Sequence, residues 1–297
     1  VSTIGETTPP PLAPEPEDEG VATSRPWLPW AAALIGAVIV VAAVVALFST
    51  KDFSDALDFI FHKRESVSGG VQVGGSELLG FTGTHLYVSA VAVIAACLFS
   101  IPIGLYLGHI GKGEFLAVSV SNIGRAVPSL ALLAFFIAYL GVGELNVIVV
   151  LILLAIPPIL TNTYVATRQV NPNTVDAARG MGMSEAQIIR KVELPLGMST
   201  IFGGIRTSAV NVVATATIAP LASVNTLGTP IISGNVYGQA GRIGAALLVA
   251  VLTLAVDLAL ASAQRLVTPK GIKLGRETGS AKRGKFFANR IRREQVT

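Results

Sequence analysis

The sequence predicts an all-α membrane protein with six transmembrane helices. Of its 297 residues, 52% are hydrophobic and only 13% charged, where an ordinary soluble domain carries about a quarter charged. Its mean hydropathy is +0.65. The apolar residues fall in blocks long enough for the roughly 20 helical residues that cross a bilayer. Basic residues gather in some connections between these blocks and are missing from others, the pattern that orients membrane helices.

Residues 1–26 are a separate material. Pro9, Pro10, Pro11, Glu15, Glu17, Asp18 and Glu19 stand among few large apolar residues, so an acidic, proline-rich disordered tail is expected. No basic segment leads into the first apolar run, so no secretory signal is expected. The membrane domain is expected over 27–272. Its first helix spans 28–48, with Trp27 and Trp30 at the level of an aromatic belt. A polar stretch, 49–82, precedes the second helix at 84–107, which holds Pro102 near its end. A short basic hinge leads to the third helix, 115–140, interrupted where Pro128 removes a backbone donor. Gly141-Val142-Gly143 turns the chain into the fourth, 145–165, with Pro157-Pro158 inside. A polar segment, 166–193, precedes the fifth at 194–221, and the sixth covers 243–266.

Arg168, Arg179, Arg190 and Lys191 mark the 166–193 connection, and a basic tail, 273–297, continues the cluster that begins at Arg265. The turn at 141–144 and the loop at 222–241 hold no basic residue. The positive-inside rule therefore places both termini and the 166–193 connection in the cytoplasm. Lys51, Lys63 and Arg64 run against this, in a stretch long enough to weaken the rule. The pI of about 9.3 is read as this topology signal rather than as a nucleic-acid surface. Lone Cys97 excludes an internal disulfide, and His62, His85 and His109 lack metal-ligand spacing. The basic tail would also meet anionic lipid, which salt screens. An ionic-strength sensor and a plain topology anchor are both open, the anchor being the simpler.

The segment 171–195 carries the most information. Asn173 or Thr174 can cap a short helix through Arg179, and Gly180 and Gly182 then break it. Ser184 and Gln187 have capping-box spacing for a second helical stretch, with Ile188, Ile189 and Val192 on one face. Pro195 marks the entry into the fifth membrane helix. The product is a helix–turn–helix elbow outside the bilayer with one apolar side. Physically, two readings stand level: an amphipathic segment on its own bundle or on headgroups, and an element that docks on a partner.

Asp176-Ala177-Ala178, then Gly182, then Val192, Leu194 and Pro195 resemble the EAA signature of ABC importer permeases, with Asp176 where that family usually has Glu. The resemblance implies that Asp176, Ala177, Ala178, Arg179, Gly180, Gly182, Leu194 and Pro195 form a coupling helix docking on a cytoplasmic ATPase. Thr84-His85-Leu86, Pro128 to Leu132, Asn162-Thr163-Tyr164, Gly204 to Thr207 and Val267 to Gly271 narrow the likeness to osmoprotectant permeases for glycine betaine, carnitine or choline. It covers the five-helix core, about residues 82–272, and leaves the first helix as an addition. Thr161 stands where the family shows Arg, and Ser223 to Thr226 replace a glycine-rich run, differences that would suit one of two non-identical permeases.

The likeness implies a second permease subunit, an extracytoplasmic solute-binding protein and the lipid bilayer as partners. The chain lacks a GxxxxGK[ST] loop, so ATP and Mg belong to a partner ATPase and this chain takes no cofactor. Aromatics are 6% with no cluster beyond Trp27 and Trp30, so a quaternary ammonium group is expected to be captured tightly elsewhere. Pro128, Ser129, Asn162, Thr163, Thr207, Asn211 and Thr215 are candidates for the translocation path. Of these, Thr207, Asn211 and Thr215 share one face of a helix. Interhelical hydrogen bonding explains that stripe with fewer assumptions. Arg206 is expected to snorkel at an interface, while Arg125 and Asp257 are costly charges that need protein or water. An ABC permease for another small solute, such as an amino acid, and a stand-alone secondary transporter remain alternatives.

Overall fold

The computed structural model describes residues 51–115 and 127–267, with Ala46 and Ser119 as further single positions. The expectations for both tails, for Trp27, Trp30 and most of the helix at 28–48, and for Arg125 lie outside the described residues.

The stretch expected to be merely polar is structured. Helix α1 (Lys51–Phe61) places Asp52 in its first turn, where the helix dipole favours an anion, and buries Ala56 and Phe59. Strands β1 (Lys63–Glu65) and β2 (Gln72–Gly74) then pair antiparallel with Arg64 opposite Val73, which adds a small ribbon to an otherwise helical chain. Arg64 Nε donates to Asp58 at 2.6 Å, and its guanidinium holds the Asp58 carboxyl below the ordinary carboxylate range. Composition hides this module because its apolar residues are few and spaced for burial against a neighbour, not for a membrane.

Helix α2 (Glu77–His109) begins seven positions earlier than expected and is about 50 Å long. Pro128, in extended conformation, precedes α3 (Ser129–Leu140), so the proline starts a helix here. Helix α4 (Glu144–Arg168) holds Pro157 and Pro158 within it. After the elbow come α7 (Leu194–Thr215), a 3-10 turn (Ala216–Ala222), short α8 (Gly228–Ile232) and α9 (Gly234–Val267). Helix α9 kinks at Gly238, whose φ is 65°, so the helix expected at 243–266 has an added, differently directed first turn.

Among the described residues, four segments are long and apolar enough to cross a membrane: Glu77–His109, Glu144–Arg168, Glu185–Ala222 and Gly234–Val267, with Ser129–Leu140 as a shorter apolar helix. Helix α4 lies between α2 and α7, and α9 packs on α7 and α1. The shared core is built from small and β-branched residues: Val88, Ala92 and Ala96 of α2, Val150, Ala155 and Ile159 of α4, Val212 of α7 and Ala216 beyond it. The outer faces are as apolar as the core. Ile94, Leu98 and Phe99 on α2 and Val251, Leu254 and Leu258 on α9 are all exposed, which suits hydrocarbon and not water.

Candidate functional site

Among the described residues, polar side chains gather at the elbow at the end of α2 and in a groove between α7 and α9.

The elbow's first arm is α5 (Pro172–Gly180). Its cap is Asn171, whose side chain accepts from the Asn173 N–H at 2.9 Å. The expected cap at Asn173 or Thr174 is corrected by Pro172, which has no N–H to satisfy in the first turn and lets the helix start earlier. Gly180 stays helical, and the turn falls on Gly182, whose φ is +82°. The second arm, α6 (Glu185–Ile188), carries the expected capping box. Gln187 N–H donates to Ser184 Oγ (3.4 Å), and Ser184 N–H donates to Gln187 Oε1 (2.9 Å). It runs through a π-turn (Ile189–Glu193) directly into α7. Pro195 offers that turn no N–H, and the chain there widens. The second arm is thus the rigid extension of a membrane-length helix.

One side of the elbow is anchored. Ile188 and Ala178 are buried, and Ile189 and Leu194 pack on Leu105, Ala166 and Ile201. Asp176, Ala177, Gly180, Met181 and Gly182 are exposed on the other side, Met181 by 77%. An exposed methionine beside alanine and two glycines is a surface that another protein's backbone can approach closely.

A chain of charges spans the elbow. Arg179 Nη1 donates to Asp176 Oδ1 (3.1 Å), and its Nε and Nη2 donate to the two oxygens of Glu185 across the turn (3.0 and 3.1 Å). These carboxylates, Glu185 foremost, raise the Arg179 pKa further. Glu185 Oε2 also meets His109 Nε2 at 2.9 Å, and His109 Nδ1 lies 2.9 Å from both oxygens of buried Glu193. His109 was not legible as a site residue. Its partners stand 76 and 84 positions away, and its place beside a basic hinge was the sole local cue.

The groove holds the second cluster. Gly203, Arg206, Thr207, Val210, Asn211 and Asp257 line a hollow of about 550 Å³. Arg206 is held by an ion pair: its Nε and Nη2 donate to the two oxygens of Asp257 at 3.0 and 2.9 Å. Its Nη1 donates to Gln264 Oε1 (3.2 Å), and Gln264 donates onward to the Ser199 carbonyl (2.8 Å). Thr207 and Asn211 are both exposed here, while Thr215 is half-buried a turn further on.

The other path candidates lie elsewhere. Thr163 is fully buried, donates to the Ile159 carbonyl (2.7 Å) and faces the position of Gly104. Asn162 donates to the Pro158 carbonyl (2.8 Å) and packs on Gly204. Pro128 and Ser129 sit at the start of α3.

A family model for the binding-protein-dependent transport system inner membrane component matches residues 100–272, which hold both the elbow and the groove. The chain belongs to this family. This family member is similar to the glycine betaine/carnitine/choline transport system permease protein OpuCB of Bacillus subtilis, 41% identical over 68% of this chain and 94% of that protein. The choline transport system permease protein OpuBB of the same organism matches equally, at 41% over 68% and 94%. The carnitine transport permease protein OpuCB of Listeria monocytogenes is 41% identical over 70% and 96%. Among solved structures, a chain of the inward-facing MetNI methionine ABC transporter shares the fold, with a TM-score of 0.57 and 22% identity over 65% of this chain and 96% of that one. The protein is accordingly a multi-pass membrane transport subunit of the ABC permease kind.

Proposed function

We propose that this chain is the permease subunit of an ATP-driven importer for glycine betaine, choline or carnitine-like solutes. The observation that carries the reading is the extent of the likeness, at 41% identity over 94–96% of three permeases of that description. The elbow is the coupling element. Its exposed Asp176, Ala177, Gly180 and Gly182 side docks on a separate cytoplasmic ATPase, which binds ATP and Mg, while Ala178, Leu194 and Pro195 join it to the bundle. Because the second arm runs unbroken into α7, a push on the elbow moves the helix that carries Thr207, Asn211 and Thr215. Those residues line the path, which a second permease subunit completes. An extracytoplasmic binding protein delivers the solute at the end of α2 remote from the elbow. The full membrane domain has six helices with both termini in the cytoplasm, as the basic connection 166–193 indicates.

The test is solute-stimulated ATP hydrolysis by the complex purified with its ATPase and binding protein in lipid vesicles. Stimulation by glycine betaine, choline or carnitine, lost in Asp176→Ala and Gly182→Val, is the expected result. Solute flux that proceeds without nucleotide would overturn it in favour of a secondary transporter.

A further inference from the structure

We infer that the Arg206–Asp257 pair is a binding station for a zwitterionic quaternary ammonium solute within the permease. The inference rests on the solute class proposed above and deepens it.

The pair lies deep in the helices. Arg206 is twelve residues past Leu194, roughly 18 Å along α7, and Asp257 is ten residues before Val267, roughly 15 Å along α9. Both residues fall inside segments long and apolar enough to cross a membrane. Charges at that depth are expensive, and they mark solute pathways when they face open space. These do face it. Arg206 is 32% and Asp257 31% exposed, whereas a pair serving only to staple α7 to α9 gains little over apolar side chains in the same place.

The surroundings of the two charges differ. On the Arg206 side, Thr207 and Asn211 add hydrogen-bonding groups to the polar groove. Asp257 also borders a second hollow of about 480 Å³, whose walls include Ala246, Val249, Ala250 and Leu254. The carboxylate therefore stands at the junction of a polar and an apolar space. A trimethylammonium group is a cation with an apolar surface, and it needs a negative charge beside aliphatic walls. A carboxylate about three bonds away needs a guanidinium and polar neighbours, and Arg206 offers bidentate geometry for it. The pair is the charge mirror of such a solute. In the empty groove each charge satisfies the other; with solute bound, each exchanges its partner for the matching end of the ligand. The bundle then never holds an uncompensated charge, and the station binds weakly enough to release.

The test compares two solutes in one preparation. Glycine betaine carries both charges, and choline carries the ammonium alone. The complete transporter is reconstituted in vesicles with its ATPase and binding protein, and ATP-driven uptake of each solute is measured for the unmodified complex, Arg206→Gln, Asp257→Asn and the exchanged pair R206D/D257R. Arg206→Gln is expected to lower glycine betaine uptake about tenfold or more, the scale of a lost charge-assisted hydrogen bond, while choline uptake changes less than about threefold. Asp257→Asn is expected to lower both. The ratio of the two solutes does not depend on how much protein folds. The exchanged pair restores a helix staple, and it is expected to recover thermal stability without recovering transport.

Equal loss of both solutes in Arg206→Gln, or full transport by the exchanged pair, would overturn the station and leave the importer reading intact. An unmodified complex that carries neither solute would overturn both.

Discussion

His109 closes α2 between two carboxylates, with Nδ1 2.9 Å from Glu193 on the π-turn and Nε2 2.9 Å from Glu185 on α6. Through Glu185 the contact continues to Arg179 and Asp176 on α5, so both arms of the elbow are tied to the end of one membrane-length helix. A movement of the elbow is thereby shared between α7, by continuity of the chain, and α2, by this clamp.

The clamp predicts a buried-charge penalty. Glu193 is 4% exposed and His109 10%, so His109→Ala leaves a carboxylate buried without its partner, at a cost of about 3 kcal/mol. Adding Glu193→Gln to His109→Ala removes the stranded charge and should recover part of the loss. Thermal unfolding of the four members of the cycle, alone and combined, measures the coupling. Solute transported per ATP should fall in His109→Ala, because α2 no longer follows the elbow. Additive effects in the cycle would show that the two side chains act independently.

The two glycines of the elbow should behave oppositely. A Cβ at either Gly180 or Gly182 meets nothing within 4 Å, so sterics do not separate them. Conformation does: Gly180 is helical, while Gly182 has φ +82°. Gly182→Ala should cost about 1–2 kcal/mol and misdirect the second arm, whereas Gly180→Ala should be neutral or stabilising by up to about 1 kcal/mol. Thermal unfolding and solute-stimulated ATP hydrolysis of the two variants side by side check the contrast.

How far the sequence reveals the protein depends on the distance over which each feature is encoded. The capping box at Ser184 and Gln187 and the turn at Gly182 are written within a few neighbouring residues, and the structure has them in place. The membrane-length helices are legible because hydrocarbon demands long apolar runs. The clamp at His109 and the partner of Asp257 are contacts across 84, 76 and 51 positions, which no local pattern encodes. Helix α1 was obscured for another reason. Its buried side, Ala56 and Phe59, is too small to raise the average of a stretch crowded with Asp and Lys.

That small side should hold the module in place. Phe59 is 1% exposed, meets Tyr237 edge-to-face at a centroid distance of 6.2 Å, and lies against Gly241 and Gly244 of α9. Phe59→Ala should cost about 3–5 kcal/mol of local stability and release α1 with its ribbon. Limited proteolysis within 51–75 reads this directly. Cleavage there should rise at least tenfold while the membrane helices stay protected. Unchanged protection would mean that the ribbon's bonds from Ser66 and Val67 to the Val236 carbonyl suffice.

One close helix contact in the bundle is made by what is missing from it. A Cβ at Gly104 would stand 2.7 Å from Thr163 Cβ and 3.1 Å from the Leu160 carbonyl, and one at Gly108 2.6 Å from Thr167 Cβ. These glycines lie four apart on α2, one turn of small residues that lets α4 approach at backbone distance. Thr163 and Thr167 turn their hydroxyls back to the carbonyls of Ile159 and Thr163, which leaves carbon atoms to face the glycines. Gly104→Val should therefore force α2 and α4 apart and cost about 1–3 kcal/mol or more. Gly83→Ala on the same helix, where a Cβ meets nothing within 4 Å, should be tolerated. Thermal unfolding of the two variants tests the contrast, and a compensating change tests its cause. Thr163→Gly removes the atom that the new side chain meets, so it should relieve Gly104→Ala even though it weakens the unmodified protein. A pair of losses that simply add would mean that the glycine serves α2 itself and not its contact with α4.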